Sequence, residues 1–438
     1  MEKYIVYLPI LAAAIALLCL YAAHRAMRRR RLVQDLPTST TAGVFIGLVE
    51  LKGTAEVQRP LTSHLTEIRC LYYQWSVSEH WSRTVTETYT DSKGNIQTRT
   101  RTESGTTTLA SGGEQIPFYL RDEEGVVLIH PAGARIEPAS VLSKTCGRSD
   151  PFYYAKGPSH AVPNSDHRRT FVETAIPLHA ELYVVGQARE RQDIVAAEIA
   201  HDRGVPLFLI STRTEKQVAR GYGWSYGGWS FFAGVLWLGA FVVVDLVRGR
   251  DLAQRWPWYI PPALGYAVAI AIGWVWGAYN SLVDLRQRMR QGWAQIDVQL
   301  KRRADLIPNL VQIVSTQRDY ERNVQTELAH LRSQLSATAP GQPGPDFQAC
   351  SSQLIAIAER YPELKSDEAF RRLQENLVDT EHRIALARGY YNEIATYWNT
   401  RLETIPDGWL ARLIGMRTQP LLAAAEFERE AVEVTFAE

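Results

Sequence analysis

Few residues in this chain stand at spacings suited to bond-making chemistry. His160, Asp166 and His167 share one Pro/Ser/Asn-rich loop. Two imidazoles and a carboxylate need a further close ligand to hold an ion. Cys19, Cys70, Cys146 and Cys350 are too scattered for a CxxC zinc module and too few for a disulfide framework. No GxxxxGKS/T loop, HExxH helix or GxSxG elbow occurs. Gly221 to Trp229 is glycine-rich but lacks phosphate-loop spacing, and its tyrosines and tryptophans suit the aromatic belt of a membrane surface. The expectation is a protein that is not an enzyme and carries neither metal nor cofactor.

Two polar groups at regular spacing remain. Gln295, Asp297, Gln299, Arg302, Arg303, Asp305 and Asn309 lie on and around an apolar helical stripe. They form either a solvated face with helix-spaced pairs such as Arg302 with Asp305, or a face for a partner or a second copy. Thr84, Thr86, Thr88 and Thr90 alternate along one arm, and Thr98, Thr100 and Thr102 along another. Asp91 to Asn95 supplies turn residues between them. Glu87, Arg99 and Arg101 make the other face polar too, so a hairpin projecting from its core is expected. Thr86, Thr88, Arg99 and Arg101 then either meet solvent or contact a neighbouring subunit.

Three apolar stretches must position these groups: Tyr4 to Ala23, with Pro9 as the one breaker, Trp229 to Val247, and Trp258 to Ala278. Each approaches the roughly 20 residues a membrane helix needs. Arg25 and Arg28 to Arg31 follow the first, which reads as an uncleaved anchor rather than a signal peptide. The arginines predict an outside N-terminus and cytoplasmic soluble parts. Asp245 is expected to pair with Arg248 at a helix end. The chain has 438 residues and a net charge of +1, which gives no electrostatic case for nucleic-acid binding.

Residues 36–225 read as β. Apolar runs such as Val44 to Leu51, Cys70 to Trp81, Pro117 to Leu120, Val126 to Ile129, Phe171 to Ile176, Leu182 to Val185 and Leu207 to Ile210 alternate with turn residues. A barrel or sandwich fits. From residue 279 the period becomes helical. Leu282, Leu285, Met289, Trp293, Ile296 and Leu300 form one stripe, and Phe370, Leu373, Leu377, Thr380, Ile384, Ala387, Tyr391, Ile394 and Trp398 another. One continuous helix from the third span to about Thr316, kinked at Pro308, is expected. Shorter helices near Glu321 to Leu335 and Asp346 to Arg360 would complete an antiparallel bundle of about four.

Gly53-Thr54-Ala55, Pro60 to Ser63, Cys70 to Tyr73, Glu181 to Gly186 and Pro206 to Ser211 resemble the GIDE, or BAM, domain over about residues 43–220. That domain occurs in membrane-anchored E3 ubiquitin ligases, whose chemistry resides in a C-terminal RING. This sequence lacks the paired ligands of a RING, so ligase activity is not expected. Tyr279 to Val283, Trp293 to Arg303, Asp305 to Val311, Tyr361 to Lys365, Leu373 to Leu377 and Thr380 to Ala385 resemble the LemA family of membrane proteins. Ala304 stands where that family usually has a polar residue. The resemblances imply a multi-domain α+β membrane protein with three transmembrane helices (1–24, 229–247 and 258–278), a β-rich GIDE/BAM-like domain (36–225), a LemA-like helical bundle (279–405) and a C-terminal tail (406–438). The expected role is an oligomeric scaffold at the inner membrane. Its partners would be lipids, further copies of itself and other membrane proteins, without nucleic acid. A ligase-like transferase and a lipid- or peptide-binding module are the alternatives.

Overall fold

A computed structural model describes residues 7–90, 96–191, 197–202, 204, 207–316 and 368–422. The chain divides into two compact units, Thr38–Val218 and a second made of Met1–Pro37 with Ala219–Glu438. The expected helices near 321–335 and 346–360 and the loop between them lie outside the described residues.

The β unit follows from strands whose side chains alternate between a filled interior and solvent. Its strands are β1 (Thr38–Ser39), β2 (Gly47–Glu56), β3 (Leu61–Thr62), β4 (Arg69–Thr90), β5 (Ile96–Gln115), β6 (Phe118–Arg121), β7 (Val126–Ile129), β8 (Arg135–Glu137), β9 (Ala139–Gly147), β10 (Ser165–Pro177), β11 (Glu181–Glu190), β12 (Ala197–Ala200) and β13 (Leu209–Ser211). Strands β2, β6, β7, β12 and β11 pair in turn, and β11 pairs back to β2, which closes a small barrel. Val49, Leu51, Phe118, Leu120, Ile129, Val184, Ile199 and Ile210 fill it. Gly186 is required where β11 meets β12, because a Cβ there would lie 2.6 Å from the Ile199 side chain. A second sheet runs β3-β4-β10-β9, with β5 along β4. Pairing of β4 with β10 ends at Trp81, while pairing with β5 continues to Thr90 and Ile96. The outer hairpin therefore has two strands only.

The helical unit holds α1 (Leu8–Gln34) and, within the membrane-length set, two more helices that satisfy length and composition for crossing a bilayer. These are α3 (Glu215–Val247) and the helical stretch that includes α5 (Ile260–Thr316); the short α2 (Phe152–Ala155) and α4 (Leu252–Arg255) complete the order to this point. Leu17, Leu18, Phe231, Leu264 and Ile272 are all exposed, an apolar surface of the kind lipid covers. Ala16, Cys19 and Ala233 pack together beside Trp237 and Tyr266, small residues that bring helix backbones close. Pro9 does not break α1. It sits in the first turn, where its missing N–H costs nothing. Helix α3 reaches back to Glu215, so the glycine-rich segment from Gly221 lies inside it.

Asp245 does not pair with Arg248. Arg250 Nη1 donates to it at 3.0 Å, Tyr259 Oη at 3.0 Å and Arg255 Nε at 3.4 Å. Gly249, at φ +66°, turns the chain after α3 so that Arg250 and Arg255 fold back over the helix end, while Arg248 stays exposed.

Helix α5 runs unbroken for 57 residues, about 85 Å at 1.5 Å per residue. It packs antiparallel to α6 (Glu368–Glu403). Leu282, Leu285, Met289 and Ile296 on α5 are buried, as are Ile384, Ala387, Tyr391, Ile394 and Trp398 on α6. Trp293 meets Tyr391 edge-on at 5.4 Å. After α6, the short helix α7 (Asp407–Ile414) ends at Gly415, in the left-handed conformation.

Candidate juxtamembrane site

Among the described residues of the helical unit, a group of buried charges lies where α1 ends. Helix α1 carries its basic cluster to the last turn and stops at Asp35, whose N–H donates to the Arg31 carbonyl at 2.8 Å. Asp35 is 7 % exposed. A buried carboxylate needs donors, and two elements distant in sequence supply them. Ser281 Oγ of α5 donates to Asp35 Oδ2 at 2.7 Å. Arg401 Nη1 of α6 donates to both Asp35 oxygens at 2.8 Å. Arg288 Nη1 reaches the Asp35 carbonyl at 3.4 Å.

Arg401 also donates through Nε to Asp407 Oδ2 of α7 at 2.7 Å. Arg31 Nη2 lies 3.7 Å from the other Asp407 oxygen. Two cations and two anions thus form a quartet in a row, Asp35–Arg401–Asp407–Arg31, and Leu32, Val33, Leu36, Leu282 and Leu285 of the same elements are buried. Burial works against the Arg401 charge, but Asp35 and Asp407 outweigh it and hold the guanidinium above its usual value. The arrangement fastens the end of α1 to the bundle. It sets two cations against two anions.

Past α7 the chain runs back along α6. Asn399 donates to the Gln419 carbonyl and accepts from the Gln419 N–H, each at 2.9 Å. Asn392 makes the same two-bond pair with Leu422, at 2.9 and 2.8 Å. Trp398 Nε1 donates to the Arg417 carbonyl at 3.0 Å. Two amides seven residues apart on one helix face therefore hold an extended segment.

The sequence-predicted helix face is divided. Gln295, Asp297 and Gln299 are half-buried, while Arg302 and Asp305 are exposed. Arg302 lies 4.0 Å from Asp379 on α6, so its ion partner is on the facing helix rather than Asp305. The side chains of Arg303 and Asn309 lie outside the described residues. On the hairpin, Thr86 faces Thr100, Thr88 faces Thr98 and Glu87 faces Arg99, while Arg101 faces Val85. Thr86, Thr88, Arg99 and Arg101 are exposed.

In the β unit, carboxylates hold loops in place. Glu79 and Arg169, both buried, lie 3.4 Å apart. Arg169 donates to the carbonyls of Tyr153, Pro158 and His160. The His160 carbonyl and Asp166, which accepts from Ser82, are thus engaged in loop structure. Glu173 accepts from the N–H groups of Leu65 and Thr66 and from the Ser63 hydroxyl. Burial alone would raise its pKa, but these donors outweigh that and hold it below the ordinary carboxylate value. Cys70 is wholly buried, and desolvation pushes its thiol up to about 11.

Three membrane-length helices, one of them continuous with a helical bundle, together with a small barrel unit, define a membrane-associated protein of mixed α and β architecture. Residues 292–436 match the model of the LemA family, and residues 86–244 match the GIDE model, described as E3 Ubiquitin ligase. One region of the chain is thus similar to the GIDE model and another to the LemA model. The first match leaves Tyr279 to Val283 outside it, and the second leaves out Gly53 to Tyr73. Magnetosome protein MamQ of Magnetospirillum gryphiswaldense is 23% identical over 169 residues, covering 32% of this chain and 62% of that protein. MamQ 2 of Paramagnetospirillum magneticum is 22% identical with the same coverage. Protein LemA of Metamycoplasma hominis is 21% identical over 164 residues, covering 36% of this chain and 75% of that protein. The chain spans 62% of the length of the magnetosome relatives it matches.

Proposed function

We propose that this protein is a non-enzymatic scaffold of the inner membrane, with its GIDE and LemA parts in the cytoplasm, and that it acts as a homo-oligomer. The observation that carries the reading is the quartet of Asp35, Arg401, Asp407 and Arg31, which links the first membrane-length helix to the bundle. Such a junction suits a fixed connection between a bilayer and an assembly better than a mobile catalytic site. The relatives named as magnetosome proteins favour a role in organising a membrane compartment. The arginines at the end of α1 favour the cytoplasmic orientation.

The test is size and subunit contact. The full chain in mild detergent, weighed by mass photometry, is expected to run as multiples of its 49.4 kDa mass. Cysteines introduced at Thr88 and Arg99 are expected to cross-link between copies. A monomer at all concentrations overturns the reading. A second reading, a ligase-like transferase, is favoured by the GIDE match. Transfer of ubiquitin from a charged carrier by the purified chain would establish it and displace the scaffold.

A further inference from the structure

A cavity of about 50 Å³ opens where α1 meets α5, lined by His24, Arg28, Arg31, Asp35, Asn280, Asp284 and Arg288, with Trp276 and Gly277 on its wall. Three arginines face two carboxylates there. Asp35 is already engaged by Arg401 and Ser281, which leaves the arginines in excess. Arg31 supplies a second, independent observation. It is 7 % exposed, and its Nη1 has no hydrogen-bond partner among the described residues, although Nη2 faces Asp407. A buried guanidinium N–H left without an acceptor is costly, so it marks a place where an acceptor belongs. The site sits where the apolar parts of α1 and α5 give way to their charged parts, with Trp276 beside it, the depth at which lipid headgroups lie.

We propose that this cavity binds a phosphate group, with Arg31 Nη1 as its buried donor and Arg28 and Arg288 as flanking cations. Its volume suits one tetrahedral oxyanion and not a sugar, since a single water needs about 10–15 Å³ of such space. Asn280 adds a neutral amide, and Asp284 limits the site to one anionic group. The chemistry is shared by the phosphodiester of an anionic phospholipid and by free phosphate. The inference rests on the membrane location but not on self-association, so lipid retention and oligomer size are read separately.

The experiment is native mass spectrometry of the full chain released from detergent with phosphatidylglycerol or phosphatidylcholine added, and a parallel titration with inorganic phosphate. Phosphatidylglycerol is expected to be retained at least about tenfold better than phosphatidylcholine, whose phosphodiester carries a choline cation that these arginines repel, the scale of one charged contact. Arg31→Gln is expected to abolish that preference. Because Arg31 also faces Asp407, two variants outside the quartet guard against a folding defect: Arg28→Gln, and Asn280→Leu, which fills the cavity. Both are expected to lose the preference while melting like the parent. Protection by inorganic phosphate that Asn280→Leu removes supports the phosphate site and assigns it to the free ion. Equal retention of both lipids with no phosphate effect, or unchanged retention in Arg28→Gln and Asn280→Leu, overturns the proposal.

Discussion

Replacing Arg401 with glutamine removes the centre of the juxtamembrane quartet. The change deletes the two 2.8 Å bonds to Asp35 and the 2.7 Å bond to Asp407. It leaves two carboxylates whose side chains are only 10% and 11% exposed. Asp35 keeps Ser281, and Asp407 keeps Arg31 at 3.7 Å, so neither is wholly abandoned. Breaking one partner of a buried ion pair costs about 3–5 kcal/mol, most of it the stranded charge rather than the lost attraction. For a unit of this size that is a fall of roughly 6–20 °C in melting temperature. The double variant Asp35→Asn with Arg401→Gln removes the stranded charge at Asp35, so it is expected to recover about half the loss. Intrinsic tryptophan fluorescence during a thermal ramp reads both, because Trp398 lies one turn from the site on α6. A single variant melting within about 1 °C of the parent, or a double variant as damaged as the sum of the singles, refutes the stranded-charge argument.

Acid should loosen the β unit with a defined sign. The Glu173 carboxyl is held below its ordinary value of 4.5 in the fold, so its stabilisation is present above that pH and is lost as pH falls through the depressed folded value. Glu173→Gln should therefore be less stable than the parent at neutral pH and show a shallower loss below pH 4.5, read by denaturant titration across pH. Cys70, buried with its thiol near 11, should resist maleimide at neutral pH until the barrel unfolds; prompt labelling of the native protein would contradict its placement. Asn399→Ala removes two hydrogen bonds to Gln419, and limited proteolysis should then cut near residue 419 several-fold faster while the melting temperature changes little.

Much of the architecture follows from periodicity. The alternation of Leu71, Tyr73, Trp75 and Val77 marks β4, and the threonine ladder marks its projecting arm. The step of three or four from Leu282 onward marks α5, which is helical to Thr316, the last described residue of that stretch. Strand β9 escapes this reading because it lies at a sheet edge, where Ser143, Lys144 and Thr145 carry no apolar alternation. Barrel closure by β2 and β11 escapes it as well, since pairing over more than a hundred residues leaves no local mark. The filled barrel interior was foreseeable only as a class, barrel or sandwich. The juxtamembrane quartet is almost invisible in sequence, because Asp35, Ser281, Arg401 and Asp407 are ordinary residues until the fold joins them. One signal was available: a lone aspartate directly after an arginine cluster. The seven-residue spacing of Asn392 and Asn399 on an otherwise apolar face was another.

Asp35 and Arg401 are 366 residues apart. At synthesis rates of about 5–20 residues per second, α1 leaves the ribosome roughly 20–70 s before the guanidinium that completes its last turn exists. Through that interval the Asp35 carboxylate lacks the guanidinium that bonds both of its oxygens. The junction therefore closes only after Arg401 and Asp407 have been made. A product truncated before Arg401 keeps its membrane-length helices, yet the acid at the end of the first then holds only Ser281.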